Sequence, residues 1–126
     1  MRKDSHCPFC TSEGIVLRNE LAYVRQDKYP VTPGHCLIIP FRHVADFFAT
    51  TEEERRAILA LTEAAKQMLD REYAPAGYNL GVNVGEVAGQ TIPHVHLHLI
   101  PRYVGDVADP RGGVRGVIPV PQNYPK

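Results

Sequence analysis

Short apolar runs separated by turn residues dominate the first third of the chain and predict three strands. Two β-leaning runs, residues 15–17 and 21–24, flank the polar tripeptide 18–20, which is typical of a hairpin. A third apolar run, residues 35–39, follows the turn residues Pro33 and Gly34 and ends at Pro40. The chain therefore begins with a predicted three-stranded antiparallel unit.

The hydrophobic pattern changes to three- and four-residue spacing between residues 51 and 73, which predicts one long amphipathic helix. Its apolar positions are Ile58, Leu61, Ala65, Met68, Leu69 and Tyr73. Thr51 and Glu54 resemble a capping box at its start, and the sequence APAG from residue 74 ends it.

Two further runs with alternating polarity, residues 78–84 and 94–100, predict a fourth and a fifth strand joined by the loop 85–90. The order of strands, one helix and then strands predicts an α+β fold, with an antiparallel sheet and the helix on one face. The Gly- and Pro-rich residues after Arg102 are expected to form an ordered loop or an arm that faces a partner.

Three histidines occupy alternate positions of the fifth predicted strand. If the strand is regular, His94, His96 and His98 share one face, and the alternating Val95, Leu97 and Leu99 share the other. Such a face could be solvated, could bind a metal through neutral nitrogens, or could carry a nucleophilic imidazole. Exposed strand faces normally carry Thr, Lys or Glu, so a solvated histidine face is the least favoured of the three interpretations. The pattern alone does not separate metal binding from catalysis.

Polar residues just before this strand favour phosphate chemistry. Gly85 and Gly89 allow a backbone to approach a ligand closely, and the amides of Asn83 and Gln90 can donate to anionic oxygens. Few further metal ligands lie in this stretch, with Glu86 as the exception.

Length and charge narrow the function further. The 126 residues fit a single domain, and 14 basic against 14 acidic residues with a pI near 7.0 give no bulk field for nucleic acid or an anionic membrane. The first twenty residues lack the apolar core of a signal peptide, and no apolar run has the length of a membrane span. We expect a soluble cytoplasmic protein that binds neither nucleic acid nor membrane.

The three cysteines do not suggest a disulfide scaffold. Cys7 and Cys10 form a CxxC pair that could be a redox pair, half of a metal site, or two thiols in a mobile terminus; no βαβ pattern follows, which disfavours a thioredoxin-like site. Cys36 lies in an apolar strand and is interpreted as a small buried residue rather than a ligand.

The segment GQTIPHVHLHLIPR resembles the signature of the histidine triad (HIT) family, in which three histidines alternate with apolar residues. LAYVRQDKYPVTPGHCLIIPFRHV and GYNLGVNVGEVAGQ are also similar to HIT sequences, and the resemblance covers roughly residues 7–105. The nearest branch is the fragile-histidine-triad branch with its bacterial relatives. The resemblance implies one HIT domain with a core at 7–105 and an arm at 106–126. It also implies a five-stranded antiparallel sheet, a long helix and a short helix on one face, and a homodimer.

The resemblance implies a nucleotidyl hydrolase or transferase that cleaves dinucleoside polyphosphates, such as diadenosine tetraphosphate, at the α-phosphate. His96 would be the nucleophile that forms a nucleotidyl-histidine intermediate, His98 would contact the α-phosphate, and Gln90 would bond the transferring phosphate or the leaving oxygen. No Mg²⁺ ligand cluster is expected. Two alternatives stay open: a nucleoside phosphoramidase of the Hint type, and a nucleotide-binding regulatory module with little turnover.

The resemblance also assigns residues around the triad. Asp27 falls where relatives bind the ribose, Asn83 falls where an amide lies near the phosphates, and Thr91 beside Gln90 is expected to contact substrate. His35 matches a histidine that lies beside the triad in relatives and supports it without a direct catalytic part.

In some bacterial HIT proteins, a CxxC near the amino terminus joins two histidines around zinc. The matching residues of this chain are Cys7, Cys10, His43 and His94, which implies a structural Zn²⁺ that is closed to substrate. In the arm, Arg111 or Arg115 could contribute to specificity, although the neighbouring Asp106 and Asp109 also fit a charge-balanced, solvated tail.

Overall fold

The computed structural model describes residues 6–119, and within them five antiparallel strands form one sheet with a long helix on one face. The strands are β1 (Ile15–Arg18), β2 (Ala22–Gln26), β3 (Cys36–Pro40), β4 (Gly77–Val82) and β5 (Leu97–Arg102). Their order across the sheet is β1-β2-β3-β5-β4, and every neighbouring pair is antiparallel. The α+β architecture predicted from the sequence is confirmed.

The helix α1 (Glu52–Tyr73) runs for 22 residues between the two groups of strands, and three short 3₁₀ helices occupy loops. These are Phe47–Ala49, Glu86–Ala88 and Gly113–Val117. No helix in residues 6–119 combines the length and the apolar composition needed to cross a bilayer.

The helix-side core forms because alternate strand residues face α1. Ala22, Val24, Ile38, Leu97 and Leu99 contribute to it from the sheet, and Ile58, Leu61, Ala65 and Leu69 from the helix, all buried. The predicted helix periodicity therefore identified the residues that pack on the sheet. Cys36 is 1 % exposed within this core, which confirms its interpretation as a buried small residue.

The predicted capping box also forms at the start of α1. Thr51 Oγ1 accepts from the Glu54 backbone N–H at 3.0 Å, and Glu54 Oε1 accepts from the Thr51 N–H at 2.9 Å. Glu54 is buried and its carboxylate also pairs with Arg42, at 2.8 Å and 3.0 Å. The helix start is thereby tied to the segment that follows β3.

The opposite face of the sheet is covered by the amino-terminal segment. Cys7, Phe9 and Cys10 are buried there against Tyr23, Leu37 and Ile39. The Tyr23 hydroxyl donates to the Phe9 carbonyl and fixes the segment to β2. This face, rather than the helix face, carries the two cysteines of the CxxC pair.

One strand boundary differs from the prediction in a way that matters for the histidines. β5 begins at Leu97, not at residue 94, so His94 and His96 precede the strand. The β3–β5 pairs Cys36↔Leu99 and Ile38↔Leu97 would next bring Pro40 opposite Val95. Pro40 has no N–H for the ladder, and the Val95 N–H instead donates to the Val44 carbonyl at 2.8 Å. A pattern of alternating residues cannot show that a proline on the partner strand ends the pairing.

Candidate active site and metal centre

His96 and His98 lie on the face of the sheet opposite α1, with their ring centroids 5.0 Å apart. His98 is held in β5 opposite Leu37 of β3, and His96 lies in the turn that leads into β5. His96 is 9 % exposed, and its ring contacts the Phe9 ring edge at 4.9 Å between centroids. The two imidazoles are therefore side by side, but they have different surroundings.

The hydrogen bond of His96 fixes which of its nitrogens carries the proton. Nδ1 lies 2.9 Å from the His94 carbonyl oxygen, which can only accept, so Nδ1 carries the hydrogen. Nε2 is then left with its lone pair, which is the form that a nucleophile or a base requires.

The hydrogen bonds of His98 fix the opposite tautomer. The Val31 N–H donates to His35 Nδ1 at 3.2 Å, so His35 carries its proton on Nε2. That nitrogen lies 3.0 Å from His98 Nδ1 and 3.3 Å from Asp27 Oδ2. His98 Nδ1 therefore accepts, and His98 keeps its hydrogen on Nε2 as a donor for a ligand.

Burial favours the neutral form of the His98 and His35 imidazoles. Desolvation, with the neighbouring His96 and His35, lowers the pKa of His98 to about 4, against the opposing pull of Asp27. Desolvation also lowers the pKa of His35, with the same opposition from Asp27. At neutral pH, His98 is thus a neutral hydrogen-bond donor.

A cavity of about 470 Å³ adjoins this network, and His35, His98 and Asn83 all line it. The structure thus brings three of the predicted site residues together. The remaining wall includes Val114 and Val117 of the 3₁₀ helix Gly113–Val117. No pattern along the chain singles out these two valines, because it is the fold that brings Gly113–Val117 next to β4.

Gln90 and Thr91 lie beside the triad in different situations. The Gln90 amide nitrogen donates to the carbonyls of Ala45 at 2.8 Å and Ile92 at 3.0 Å, and its oxygen accepts from the Gly85 N–H at 2.9 Å. Gln90 therefore holds the loop before the triad in place. Thr91 is exposed on the same loop.

The four side chains of the predicted metal set lie close together, and one of them is the triad residue His94. Cys7 Sγ lies 3.3 Å and Cys10 Sγ 3.5 Å from His94 Nδ1, and Cys10 Sγ lies 3.2 Å from His43 Nδ1. One donor atom from each residue lies within 4.8 Å of the others, so the four residues could hold a metal ion.

The chemistry of this donor set fits a structural metal. His94 Nε2 lies 2.7 Å from the Pro40 carbonyl, which places its hydrogen there and turns the Nδ1 lone pair toward the thiols. His94 and both cysteines are buried. Two sulfurs and two neutral nitrogens match a closed tetrahedral site.

Asp27, His35 and His98 form a second cluster with donor atoms within 4.8 Å of one another. Their hydrogen bonds account for this proximity, since His35 Nε2 already donates within the group. The three residues therefore form a hydrogen-bonded network.

Of the three arginines that follow the triad, Arg102 of β5 and Arg111 of the arm are paired with acidic neighbours. Arg111 pairs with Asp109 at 2.8 Å, while Arg102 bonds Asp106 at 2.7 Å and the Asn79 side chain at 2.6 Å. Arg115 lies exposed in the helix Gly113–Val117. A contribution of Arg111 or Arg115 to specificity stays a prediction.

Comparison with known proteins places these features in a family. The HIT domain matches residues 11–105. The AP-4-A phosphorylase of Mycobacterium tuberculosis (strain CDC 1551 / Oshkosh) is 35% identical over 96 residues, covering 75% of this chain and 49% of that protein. The asymmetrical bis(5'-nucleosyl)-tetraphosphatase of Schizosaccharomyces pombe is 31% identical over 101 residues, covering 80% and 56%. The chain thus spans about half the length of these relatives.

A solved structure gives the same picture for the fold. The Zn-bound histidine triad family protein of Mycobacterium smegmatis superposes with a TM-score of 0.75 at 29% identity, covering 82% of this chain and 80% of that one. Together with the match over residues 11–105, this shows that the chain belongs to the HIT family.

Proposed function

We propose that the chain is a nucleotidyl hydrolase or transferase that cleaves dinucleoside polyphosphates at the α-phosphate. The observation that carries the proposal is the pair of opposite tautomers: His96 presents a lone pair on Nε2, and His98 presents a hydrogen on Nε2. A lone pair beside a neutral donor suits attack on a phosphoryl group whose oxygens gain charge. The relatives named AP-4-A phosphorylase and bis(5'-nucleosyl)-tetraphosphatase support this substrate class.

In the proposed reaction, His96 Nε2 forms a bond to the α-phosphorus, and the bond from that phosphorus to the bridging oxygen breaks. The remaining nucleoside polyphosphate leaves with the bonding electrons. The imidazolium of the nucleotidyl-His96 intermediate keeps its Nδ1–H on the His94 carbonyl. Water then attacks the same phosphorus, the P–N bond breaks with its electron pair returning to Nε2, and the water gives up one proton to the solvent.

Other residues have supporting parts in this proposal. His98 donates to an α-phosphate oxygen, Asn83 donates from the cavity wall, Asp27 accepts from the ribose hydroxyls, and Thr91 borders the leaving group. A contact from Gln90 to the phosphate requires one of its bonds to Ala45 or Ile92 to be exchanged.

We also propose that the ion held by Cys7, Cys10, His43 and His94 is zinc. A bound zinc would supply a structural clip and no open coordination position. Thiols stay reduced in the cytoplasm, so the two cysteine ligands support a cytoplasmic location for the protein. Within residues 6–119, β4 is an edge strand that pairs only with β5. Exposed strand edges pair readily with a second copy, so this edge offers a surface for a homodimer.

The test compares the wild-type protein with His96→Asn and His98→Asn on diadenosine tetraphosphate and on an adenosine phosphoramidate. Asn keeps the donor at the Nδ1 position of His96 but removes Nε2, so turnover should fall by roughly 10⁴-fold or more. His98→Asn should cost roughly 10²- to 10³-fold, as expected for the loss of one donor to a developing charge. His6→Asn, a change at an exposed histidine, is the control.

Two readouts sharpen this experiment. Mass spectrometry should find a nucleotidyl adduct on wild-type protein, and ¹⁸O-water should label the released mononucleotide; added inorganic phosphate tests for a phosphorylase. Full activity of His96→Asn would contradict the nucleophile assignment. Faster turnover of the phosphoramidate would favour the phosphoramidase, and nucleotide binding without turnover would favour the regulatory module.

A further inference from the structure

A second cavity, of about 250 Å³, lies on the triad side of the sheet and is separate from the one beside His98. Its apolar walls are formed by Phe9, Leu37 and Ile92. It is also bordered by Arg25 of β2 and by Asp27, which follows that strand. Phe9 also contacts the His96 ring, with 4.9 Å between centroids. The cavity is therefore one side chain away from the proposed nucleophile.

Arg25 is the unusual residue of this cavity. It is only 6 % exposed and is the fourth of the five residues of β2, between Ile15 of β1 and Leu37 of β3. Its guanidinium carbon lies 5.7 Å from the Phe9 ring centroid. Within residues 6–119, this guanidinium makes neither a hydrogen bond nor an ion pair.

The carboxylate of Asp27, which borders the same cavity, is bonded to groups other than Arg25. Asp27 Oδ2 lies 3.3 Å from His35 Nε2, and its Oδ1 accepts from the Tyr29 N–H at 2.9 Å. By contrast Glu54, the other buried residue with a permanent charge in the described part of the chain, is bonded twice to Arg42. None of the Arg25 nitrogens is fully buried without a partner, so its donors open onto the cavity.

A buried guanidinium without acceptors costs free energy, and this cost points to a ligand that supplies acceptors. The fork of N–H donors fits two acceptors side by side in a plane. Among nucleobases, guanine and hypoxanthine offer O6 and N7 in this arrangement, whereas adenine offers N7 beside an amine that is itself a donor. Apolar walls at Phe9, Leu37 and Ile92 suit a purine ring.

We propose that Arg25 recognises the O6 and N7 acceptors of a 6-oxopurine base, so that guanine and hypoxanthine nucleotides are preferred over adenine nucleotides. The proposal rests on the proposed function, since it places the α-phosphate at His96 and the base next to Phe9. Asp27, at the border of the cavity, then lies between the base and the phosphate, where it can accept from ribose hydroxyls. Diguanosine polyphosphates become the better substrates of the class.

Binding of mononucleotides tests this without turnover. Isothermal titration of the wild-type protein should show GMP and IMP binding more tightly than AMP, by roughly 5- to 100-fold, which is the usual discrimination of one bidentate pair. The 7-deaza analogue of GMP should bind more weakly than GMP because it lacks the N7 acceptor. Equal affinity for GMP, 7-deaza-GMP and AMP would overturn the proposal, whether or not the protein proves to be a hydrolase.

Substitutions separate base recognition from a general effect of charge. Arg25→Lys keeps the charge but loses the fork, so the preference for GMP should collapse while the affinity for AMP changes little. Lys28→Gln, at an exposed lysine bordering the same cavity, should weaken all nucleotides alike and leave the preference intact. If Arg25→Lys weakens GMP and AMP by the same factor, Arg25 binds phosphate and the proposal fails.

Melting of Arg25→Met gives a readout that does not depend on any ligand. Methionine fills a similar space without the unpaired charge, so the melting temperature should stay the same or rise. GMP, which should raise the melting temperature of the wild-type protein, should have little effect on the variant. A large fall in melting temperature for both Arg25→Met and Arg25→Lys would instead assign Arg25 to the stability of the fold.

Discussion

At the scale of single residues, the two histidines of the site differ in the atom that each turns toward a ligand. The sequence identified His96 and His98 as candidates, and the family resemblance assigned them different roles. It could not show the cause of the difference, because the His94 carbonyl and His35 Nε2 reach the two rings only in the folded chain. Arg25 was missed for a similar reason: an arginine in a strand normally extends into solvent, and only packing shows that this one is buried.

The depressed pKa of His98 predicts a pH-dependent stability. The pKa is about 4 in the fold against an ordinary 6.5, so between these values the unfolded chain binds the proton more readily. The melting temperature should therefore fall as the pH drops from about 6.5 to about 4. His98→Asn should reduce this fall, and a smaller slope should remain because His35 has a lowered pKa for the same reason.

Differential scanning fluorimetry between pH 7 and pH 4 measures this, with His6→Asn as the control at an exposed histidine. His6→Asn should follow the wild-type curve. If His98→Asn has the full wild-type slope, the acid sensitivity does not come from His98.

At the scale of elements, local sequence rules predicted the helix better than the strands. The capping box, the apolar spacing and the end of α1 all follow from contacts within a few residues of the chain, so the sequence shows them directly. The start of β5 at Leu97 depends on Pro40 of another strand, 57 residues earlier in the chain, which no local pattern records.

The start of α1 provides a test at this scale. Thr51→Ala should lower the free energy of unfolding by about 1 kcal/mol, the usual cost of losing a side-chain cap. Glu54→Ala should cost more, roughly 2–3 kcal/mol, because it also leaves Arg42 without its buried partner. Urea denaturation gives both values. Glu53→Ala, at an exposed position in the same turn, should stay within about 0.5 kcal/mol of wild type. A Thr51→Ala variant no less stable than Glu53→Ala would exclude the cap as a source of stability.

At the scale of the whole molecule, the sheet separates two tasks. One face packs on α1 and forms the main core, while the other holds the triad, both cavities and the four possible metal ligands. The sequence predicted the partition along β5, since Leu97 and Leu99 alternate with His98. Its pattern did not place the arm beside His98, because Gly- and Pro-rich segments carry no periodic signal, and only the family resemblance suggested a part for Arg111 or Arg115 in specificity.

The possible metal ligands come from three distant parts of the chain, so the proposed zinc should act on the whole fold. Protein purified without chelator should contain about one zinc per chain by elemental analysis, and Cys7→Ser should contain almost none. Cys36→Ala removes a core cysteine that is not a ligand and should retain the metal. A chelator should lower the melting temperature of wild type but not that of Cys7→Ser. Wild-type protein without zinc would rule the proposal out.

Phe9 lies between Cys7 and Cys10, and its ring contacts both His96 and the guanidinium of Arg25. An ion held by the two thiols would therefore restrict the same few residues that shape the second cavity. The two equilibria then form one thermodynamic cycle, in which the factor by which the ion tightens the nucleotide equals the factor by which the nucleotide tightens the ion. If the ion tightens the preferred nucleotide, more chelator is needed to remove the metal from protein saturated with that nucleotide, and metal-free protein discriminates less between bases.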